Sequence, residues 1–171
     1  MLQKNKEIII SPEKIEIIKK FAKESAPYHI DLFFPRTIEQ RELHIFIGKL
    51  GEEVIYEALY PYVNISSVSY IIYTDGRGDG GIDFNINDIT IDNKTIYERH
   101  YSMRIINSTK ANWYSLVHLN DSLPSGQHGG VYVGMLTKEE LLKYEKYDNR
   151  FNLRYVEERY FRELSSCCIK L

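Results

Sequence analysis

Asp83 and Asp92 are the residues of this 171-residue chain that are best placed to bind a metal ion. Each lies in a run of alternating apolar and polar residues, over 82–86 and 89–95. Such alternation predicts two β-strands, and the Asn-Asp pair at 87–88 predicts a two-residue hairpin turn between them. In that register Asp83 faces Asp92 across the strands, so we expect their side chains to lie on one face.

The predicted hairpin has an apolar face as well as a polar one. Phe84 is expected to pair with Ile91, and Ile86 with Ile89. These four side chains share one face because successive residues of a strand point to opposite sides. We therefore expect that face to be buried and the aspartates to lie on the other.

Two carboxylates directly across a strand pair repel each other, and a divalent cation would remove that repulsion. Mg²⁺ prefers one or two carboxylates together with water and phosphate oxygens. Lys94 follows Asp92 by two residues, so it projects from the same face. There it could hold an attacking water or offset charge on a phosphate. Gly81, opposite Lys94, would leave open space for a ligand.

Two helices are predicted before the hairpin. Ser11 suits the N-cap of a helix over 12–25, where proline occupies the first position and apolar residues recur at helical spacing. Thr37 and Gln40 form a capping-box pattern at the start of a second helix, which runs to about residue 59. The second helix would pack its apolar face against the sheet.

The remaining patterns predict further strands and helices around the hairpin. A glycine-rich loop over 75–81 precedes it. Strands are predicted over 68–73, 114–119 and 131–135, an extended or strand segment over 28–34, and helices after a Thr137 cap and over 154–164. This order predicts an α/β fold, with a central mixed sheet flanked by helices. We expect one domain with a core over 37–119, an N-terminal helix and a C-terminal helical extension.

The composition predicts a soluble globular protein. Hydrophobic residues make up 43% and charged residues 27% of the chain, and the net charge of -2 argues against a non-specific nucleic-acid coat protein. No apolar run has the length of a membrane span, and the N-terminus lacks a signal-peptide pattern. Cys167 and Cys168 are neighbours, which excludes a disulfide framework and favours a reducing, cytoplasmic setting.

The motif in the hairpin resembles that of the PD-(D/E)XK nucleases, a superfamily that includes type II restriction enzymes and Holliday junction resolvases. Asp83 matches the first aspartate of the family motif, and Asp92-Asn93-Lys94 matches its (D/E)-x-K. The chain departs from the pattern at Ile82, where the family motif has proline.

A second element of the resemblance lies on the predicted second helix. Many members of the family carry an acidic residue there in a Gly-x-x-Gly-Glu setting, which residues 48–52 match. Glu52 is therefore the carried-over position, although Glu53 flanks the same apolar face from its other side. The resemblance covers about residues 37–119.

The resemblance implies a restriction-endonuclease-like core and a metal-dependent nuclease that hydrolyses phosphodiester bonds. An endonuclease is favoured over an exonuclease, and DNA over RNA. One or two Mg²⁺ or Mn²⁺ ions would be held by Asp83, Asp92, Glu52 and the carbonyl oxygen of Asn93. Lys94 would position the attacking water.

Arg99 and Arg104 are candidates for contact with nucleic acid. They follow the predicted core strands, where the family usually has a helix beside the active site. Arginine side chains there could bind phosphates, whereas the alternative is that both are ordinary solvated residues.

Other function classes stay open at this stage. A catalytically inactive nucleic-acid-binding domain and a protein-interaction domain would both fit the same fold, and a homodimer is also open. Calcium binding by the 75–86 loop is disfavoured, because Arg77 and Ile86 occupy positions where an EF-hand loop requires ligands. An assay for metal-dependent cleavage separates these classes.

Overall fold

The computed structural model describes residues 7–30, 35–75, 81–97, 102–105, 110–120, 127–149 and 153–162. Its helices are α1 (Pro12–Ser25), α2 (Ile38–Leu59) and α3 (Lys138–Tyr144). Its strands are β1 (Glu7–Ile10), β2 (Phe84–Ile86), β3 (Ile89–Ile96), β4 (Ser102–Ile105), β5 (Trp113–Leu119), β6 (His128–Thr137), β7 (Lys146–Asp148) and β8 (Leu153–Glu157). Two 3₁₀ turns, Ala26–Tyr28 and Glu158–Tyr160, complete the described elements. Within the described ranges, no helix combines the length and apolarity needed to cross a membrane.

The predicted starts of the helices are confirmed. The Ser11 side chain accepts a hydrogen bond from the Lys14 amide at the start of α1. In α2, Thr37 and Gln40 bond to each other reciprocally, which satisfies two amides that have no partner inside the helix. Thr137 and Glu140 do the same for α3.

The strands form one mixed five-stranded sheet and a smaller one. The larger sheet has the order β1-β6-β5-β3-β2, in which β3 and β5 are parallel and the other pairs are antiparallel. The smaller sheet has the order β4-β8-β7 and is antiparallel. The predicted α/β class with a central mixed sheet is therefore confirmed.

Apolar side chains are buried on both faces of the five-stranded sheet. On one face, α1 and α2 pack against a cluster that includes Phe84, Ile91 and Val117. On the other, Ile96 and Leu116 belong to a second cluster that α3 and β8 also contribute to. Alternation along β3 therefore sends residues 91, 93 and 95 toward α2, and residues 92, 94 and 96 away from it.

Several sequence-based predictions are wrong. Residues 68–73 form no strand; instead, Tyr70 packs edge-on against Phe21 and bonds to Glu53 of α2. The backbone of residues 68–73 pairs with no strand among the described residues, and the side chain of Tyr70 holds this segment against α1 and α2.

The C-terminal region also differs from its prediction. Residues 154–157 belong to strand β8, not to a helix, because their backbone pairs with β4 on one side and with β7 on the other. Both partners lie outside the segment itself, so its local pattern does not show them. Residues 102–105, where the resemblance implies a helix, form β4. In the 28–34 segment the described residues form the end of a 3₁₀ turn and irregular chain, and 31–34 lie outside the described residues.

Strand β1 was not predicted, since its four residues are too few to show a period. It pairs antiparallel with β6 and is an edge strand of the five-stranded sheet. Its burial pattern does not alternate cleanly, with only Ile10 buried.

Two glycines of α2 have opposite surroundings, which leads to a first prediction. A Cβ on Gly51 would lie 1.9 Å from Thr95 Oγ1 of β3, whereas a Cβ on Gly48 would meet nothing within 4 Å. Gly51→Ala should therefore lower the free energy of unfolding by about 1–3 kcal/mol through overpacking. Gly48→Ala is the matched control and should raise it by about 0.5–1 kcal/mol, because alanine favours the helix. Urea denaturation of both variants measures the difference, and equal effects would contradict the close packing of α2 on β3.

Candidate metal centre

The predicted hairpin is present in the predicted register. Phe84 pairs with Ile91 and Ile86 with Ile89, and all but the partly buried Ile89 are fully buried. Asn87 adopts a positive φ of 52°, as a two-residue hairpin turn requires. The turn chemistry and the alternation therefore agree, and both fix the position of Asp92 on β3.

Asp83 is placed differently from its prediction, because the paired part of the hairpin ends at Phe84. The Asp83 amide donates to the Ile91 carbonyl at 2.9 Å, and the Asp83 Oδ2 accepts the Asn93 amide at 2.7 Å. The expected face-to-face pair with Asp92 is thus not formed. Where β2 ends, the carboxylate itself supplies an acceptor for β3, since a buried backbone amide needs one. Asp83 therefore lies beside the peptide bond that joins Asp92 to Asn93.

Asp92 and Lys94 come together as predicted. The Lys94 Nζ lies 2.5 Å from the Asp92 Oδ1. The Asp92 side chain is only 2% exposed and the Lys94 side chain 26% exposed. A carboxylate so deeply buried is costly unless a positive charge compensates it, and Lys94 does so while keeping a path to solvent.

Asn93 points to the opposite face from Asp92. Its Oδ1 accepts from the Ser115 hydroxyl of β5 at 2.9 Å, and its Nδ2 donates to Thr95 Oγ1 at 3.3 Å. The side chain therefore ties β3 to β5 under helix α2. Any role of Asn93 as a ligand would fall to its backbone carbonyl, which is the atom that the resemblance implies.

The two glutamates of α2, which the sequence leaves as alternatives, have different surroundings. Glu53 accepts hydrogen bonds from the Lys14 ammonium and, at 2.8 Å, from the Tyr70 hydroxyl. Its side chain is 4% exposed. Burial, together with the bond to Glu53, raises the pKa of Tyr70. Burial lowers the pKa of Lys14, but the bonds to Glu53 and Glu57 outweigh it and leave that pKa raised. Glu53 is therefore a structural residue that joins α1, α2 and the 66–75 segment.

Glu52 pairs with a neighbour on its own helix. Its Oε2 lies 2.6 Å from Lys49 Nζ, and the two side chains are 10% and 12% exposed. Both line a cavity beside α1. The structure thus brings Asp92 and Lys94 together on one face of β3, bonds the Asp83 carboxylate to the Asn93 amide of the same strand, and places Glu52 on the helix that covers the other face. In the ranges that the structure describes, no three His, Cys, Asp or Glu side chains form a group that could hold a metal ion.

The two arginines proposed to contact nucleic acid cannot both be located. Arg99 lies outside the described residues. Arg104 lies in β4, where its backbone pairs with Tyr155 of β8 in the smaller sheet. Most of the glycine-rich loop, residues 76–80, also lies outside the described residues.

Sequence reasoning missed the residues that form the cavity beside Glu52. They come from α1, the following 3₁₀ turn, α2 and residues 69–73. The signal available in the sequence was weak: His44 and Gly48 are four residues apart and so share a face of α2. Nothing local shows that Phe21 and Tyr73 close the same space.

No family model, curated protein or solved structure matches the chain. The site geometry and the short motif are therefore the basis for assigning a function.

Proposed function

We propose that this protein is a divalent-metal-dependent nuclease that hydrolyses phosphodiester bonds, in DNA rather than RNA and as an endonuclease. The observation that carries the proposal is the buried Asp92 bound to Lys94, with the Asp83 carboxylate beside the same peptide of β3. Helix α2 followed by the hairpin supports the finer assignment of a restriction-endonuclease-like core, although among the described residues β4 lies where the resemblance implies a helix, and residues 68–73 form no strand.

A functional role explains this buried charge better than a structural one. The Asp92 face of the sheet is otherwise packed with apolar residues such as Ile96, Tyr114 and Leu116. Apolar residues in place of a buried ion pair often leave a protein as stable or more stable. A buried ionic pair in such surroundings is therefore a candidate functional site.

The donor atoms fit the proposed metal. Asp83 and Asp92 supply carboxylate oxygens, and Mg²⁺ or Mn²⁺ is commonly held by one or two carboxylates with water and phosphate oxygens. When bound, the metal supplies Lewis-acid activation of water and of the phosphate. The roles proposed for Glu52 and for the Asn93 carbonyl rest on the motif alone.

Lys94 is proposed to orient the attacking water or a phosphate oxygen. An ammonium carries three donors, and the contact with Asp92 uses one of them. Because Asp92 fixes its position, Lys94 would need little rearrangement when substrate arrives. Its partial exposure leaves it reachable from solvent.

The test of this proposal is cleavage by the purified chain. We expect cutting of DNA with Mg²⁺ or Mn²⁺, none in EDTA, and weaker cutting with Ca²⁺, whose flexible coordination positions water less well. Supercoiled, linear and branched DNA assayed side by side would show which form is the substrate. Cleavage that persists unchanged in EDTA would contradict the metal mechanism.

One observation favours a catalytically inactive nucleic-acid-binding or protein-interaction domain as the second candidate. Asp83 and Asp92 each have a donor already, in the Asn93 amide and Lys94. Each carboxylate thus has a hydrogen-bond donor without a metal, and that of Asp92 is a charged one. DNA binding without cleavage, in every metal tested, would support nucleic-acid binding; failure to bind DNA would leave protein interaction.

A further inference from the structure

A cavity of about 280 Å³ lies between α1, α2 and residues 69–73, next to the proposed metal ligand Glu52. Its walls combine aromatic rings with polar groups. The rings are Phe21, Tyr28 and Tyr73, and the polar side chains include Ser25, His44 and Lys49. Small-molecule sites typically have volumes of about 300–1,000 Å³, so this one has room for a single small ring system and not for a base pair.

The charges in the cavity are balanced. Lys49 and Glu52 neutralise each other at 2.6 Å, and Lys49 also lies over the Phe21 ring, 5.6 Å from its centre. A free anion would therefore find the positive charge already compensated. This balance favours a neutral ligand over a phosphate.

The cavity also contains a buried polar atom that needs a partner. Among the described residues, the Ser25 Oγ is buried and has no hydrogen-bond partner. A buried hydroxyl without a partner is unfavourable, so rotation of Ser25 toward a donor or acceptor on the edge of a ligand would be favoured. The cavity thus suits a flat, neutral ring with polar edges.

We infer that this cavity binds one unpaired nucleobase. The choice of a nucleobase among flat polar rings rests on the proposed function, in which the motif assigns Glu52, a residue of the cavity wall, to the metal site. Bases stack on aromatic side chains with little regard to sequence, which fits a wall that includes Tyr28 and Tyr73. Nucleic acid would then have to present a free or unpaired base, as it does at an end, a flap or a branch.

Binding of adenosine and thymidine tests the inference without cleavage. The titrations are made in EDTA and followed by amide chemical shifts, with ribose as the control ligand. We expect both nucleosides, but not ribose, to shift the amides of Phe21, Ser25 and Gly48 in the wild-type protein. Lys94→Ala should bind them equally well, because Lys94 lies outside the cavity.

A pair of substitutions at one position tests the location. Gly48 lines the cavity and a Cβ there meets nothing within 4 Å, so larger side chains should extend into the open space. Gly48→Leu should weaken nucleoside binding about tenfold or more, which is the scale of losing a base stack. Gly48→Ala gains the same helix preference but leaves most of the space, so it should bind nearly as the wild type does.

A second variant guards against misfolding of Gly48→Leu. Tyr28 is 44% exposed, so Tyr28→Ala should fold normally and yet bind nucleosides more weakly. No binding by the wild type, or equal binding by Gly48→Leu or Tyr28→Ala, would overturn the inference. Nucleoside binding in a protein that cuts no DNA would remove the proposed function while the cavity assignment stands. DNA cleavage by a protein that binds no nucleoside would overturn the cavity assignment and leave the proposed function standing.

Discussion

Lys94→Ala is expected to lower the rate of metal-dependent DNA cleavage by about 10²–10³-fold or more, the scale for losing one oriented catalytic group. The ammonium is held 2.5 Å from the buried Asp92 carboxylate and is the charged donor proposed to orient water or phosphate. The measurement is the single-turnover rate at saturating Mg²⁺, with thermal melts to verify that the variant is folded. Lys146→Ala is the matched control, because Lys146 pairs with Glu157 in the smaller sheet and should leave the rate unchanged.

Metal binding should respond in the opposite direction. Without Lys94, the buried Asp92 lacks its compensating charge, so Mg²⁺ should stabilise Lys94→Ala more than it stabilises the wild type. Asp92→Asn removes the carboxylate charge and should lose both cleavage and most of the stabilisation by Mg²⁺. Retention of full cleavage by Lys94→Ala would show that the pair with Asp92 is structural.

The hairpin is the part of the fold that local sequence determines most fully. Alternation from Phe84 to Ile91 and the turn at Asn87 have one register in which every apolar side chain faces the core. The point where the pairing stops is not encoded in the same way. Asp83 leaves the ladder and bonds through its side chain to the Asn93 amide, which the alternation of the strands does not predict.

Long-range pairing explains the errors elsewhere. Residues 154–157 carry a pattern compatible with a helix, but β4 and β7 offer them backbone partners on both sides. Residues 68–73 carry the pattern of a strand, but Tyr70 is held by Phe21 and Glu53 instead. In both cases the deciding contacts come from other elements, so the local pattern alone could not choose between the alternatives.

The candidate site shows the same division. The shared face of Asp92 and Lys94 follows from their spacing of two on a strand and was predictable. The choice between Glu52 and Glu53 was not, because both flank the apolar face of α2. It depends on Lys14 and Tyr70, which approach Glu53 from α1 and from the segment after α2.

Those contacts make Glu53 the carboxylate whose loss should cost most stability. Glu53→Ala removes the partner of Lys14 and of the Tyr70 hydroxyl at a position that is 4% exposed. Breaking a buried pair on one side costs about 3–5 kcal/mol. Lys14 is itself 31% exposed and keeps Glu57 at 3.1 Å, so we expect the lower end, about 3 kcal/mol in the free energy of unfolding. Urea denaturation at neutral pH measures the loss.

Glu57→Ala is the control for the same lysine. Glu57 is 35% exposed, so its loss should cost about 1 kcal/mol or less, as for other exposed pairs. Tyr70→Phe removes only the hydroxyl that donates to Glu53. Its loss should cost about 1 kcal/mol in the free energy of unfolding, because Glu53 keeps the hydrogen bond from the Lys14 ammonium. If Glu53→Ala and Glu57→Ala destabilise the protein equally, Glu53 is not the residue that joins α1 to α2. Glu53 would then again be an alternative to Glu52 as the metal ligand of α2. The cleavage rates of Glu52→Gln and Glu53→Gln, compared at equal folded fraction, would decide between them.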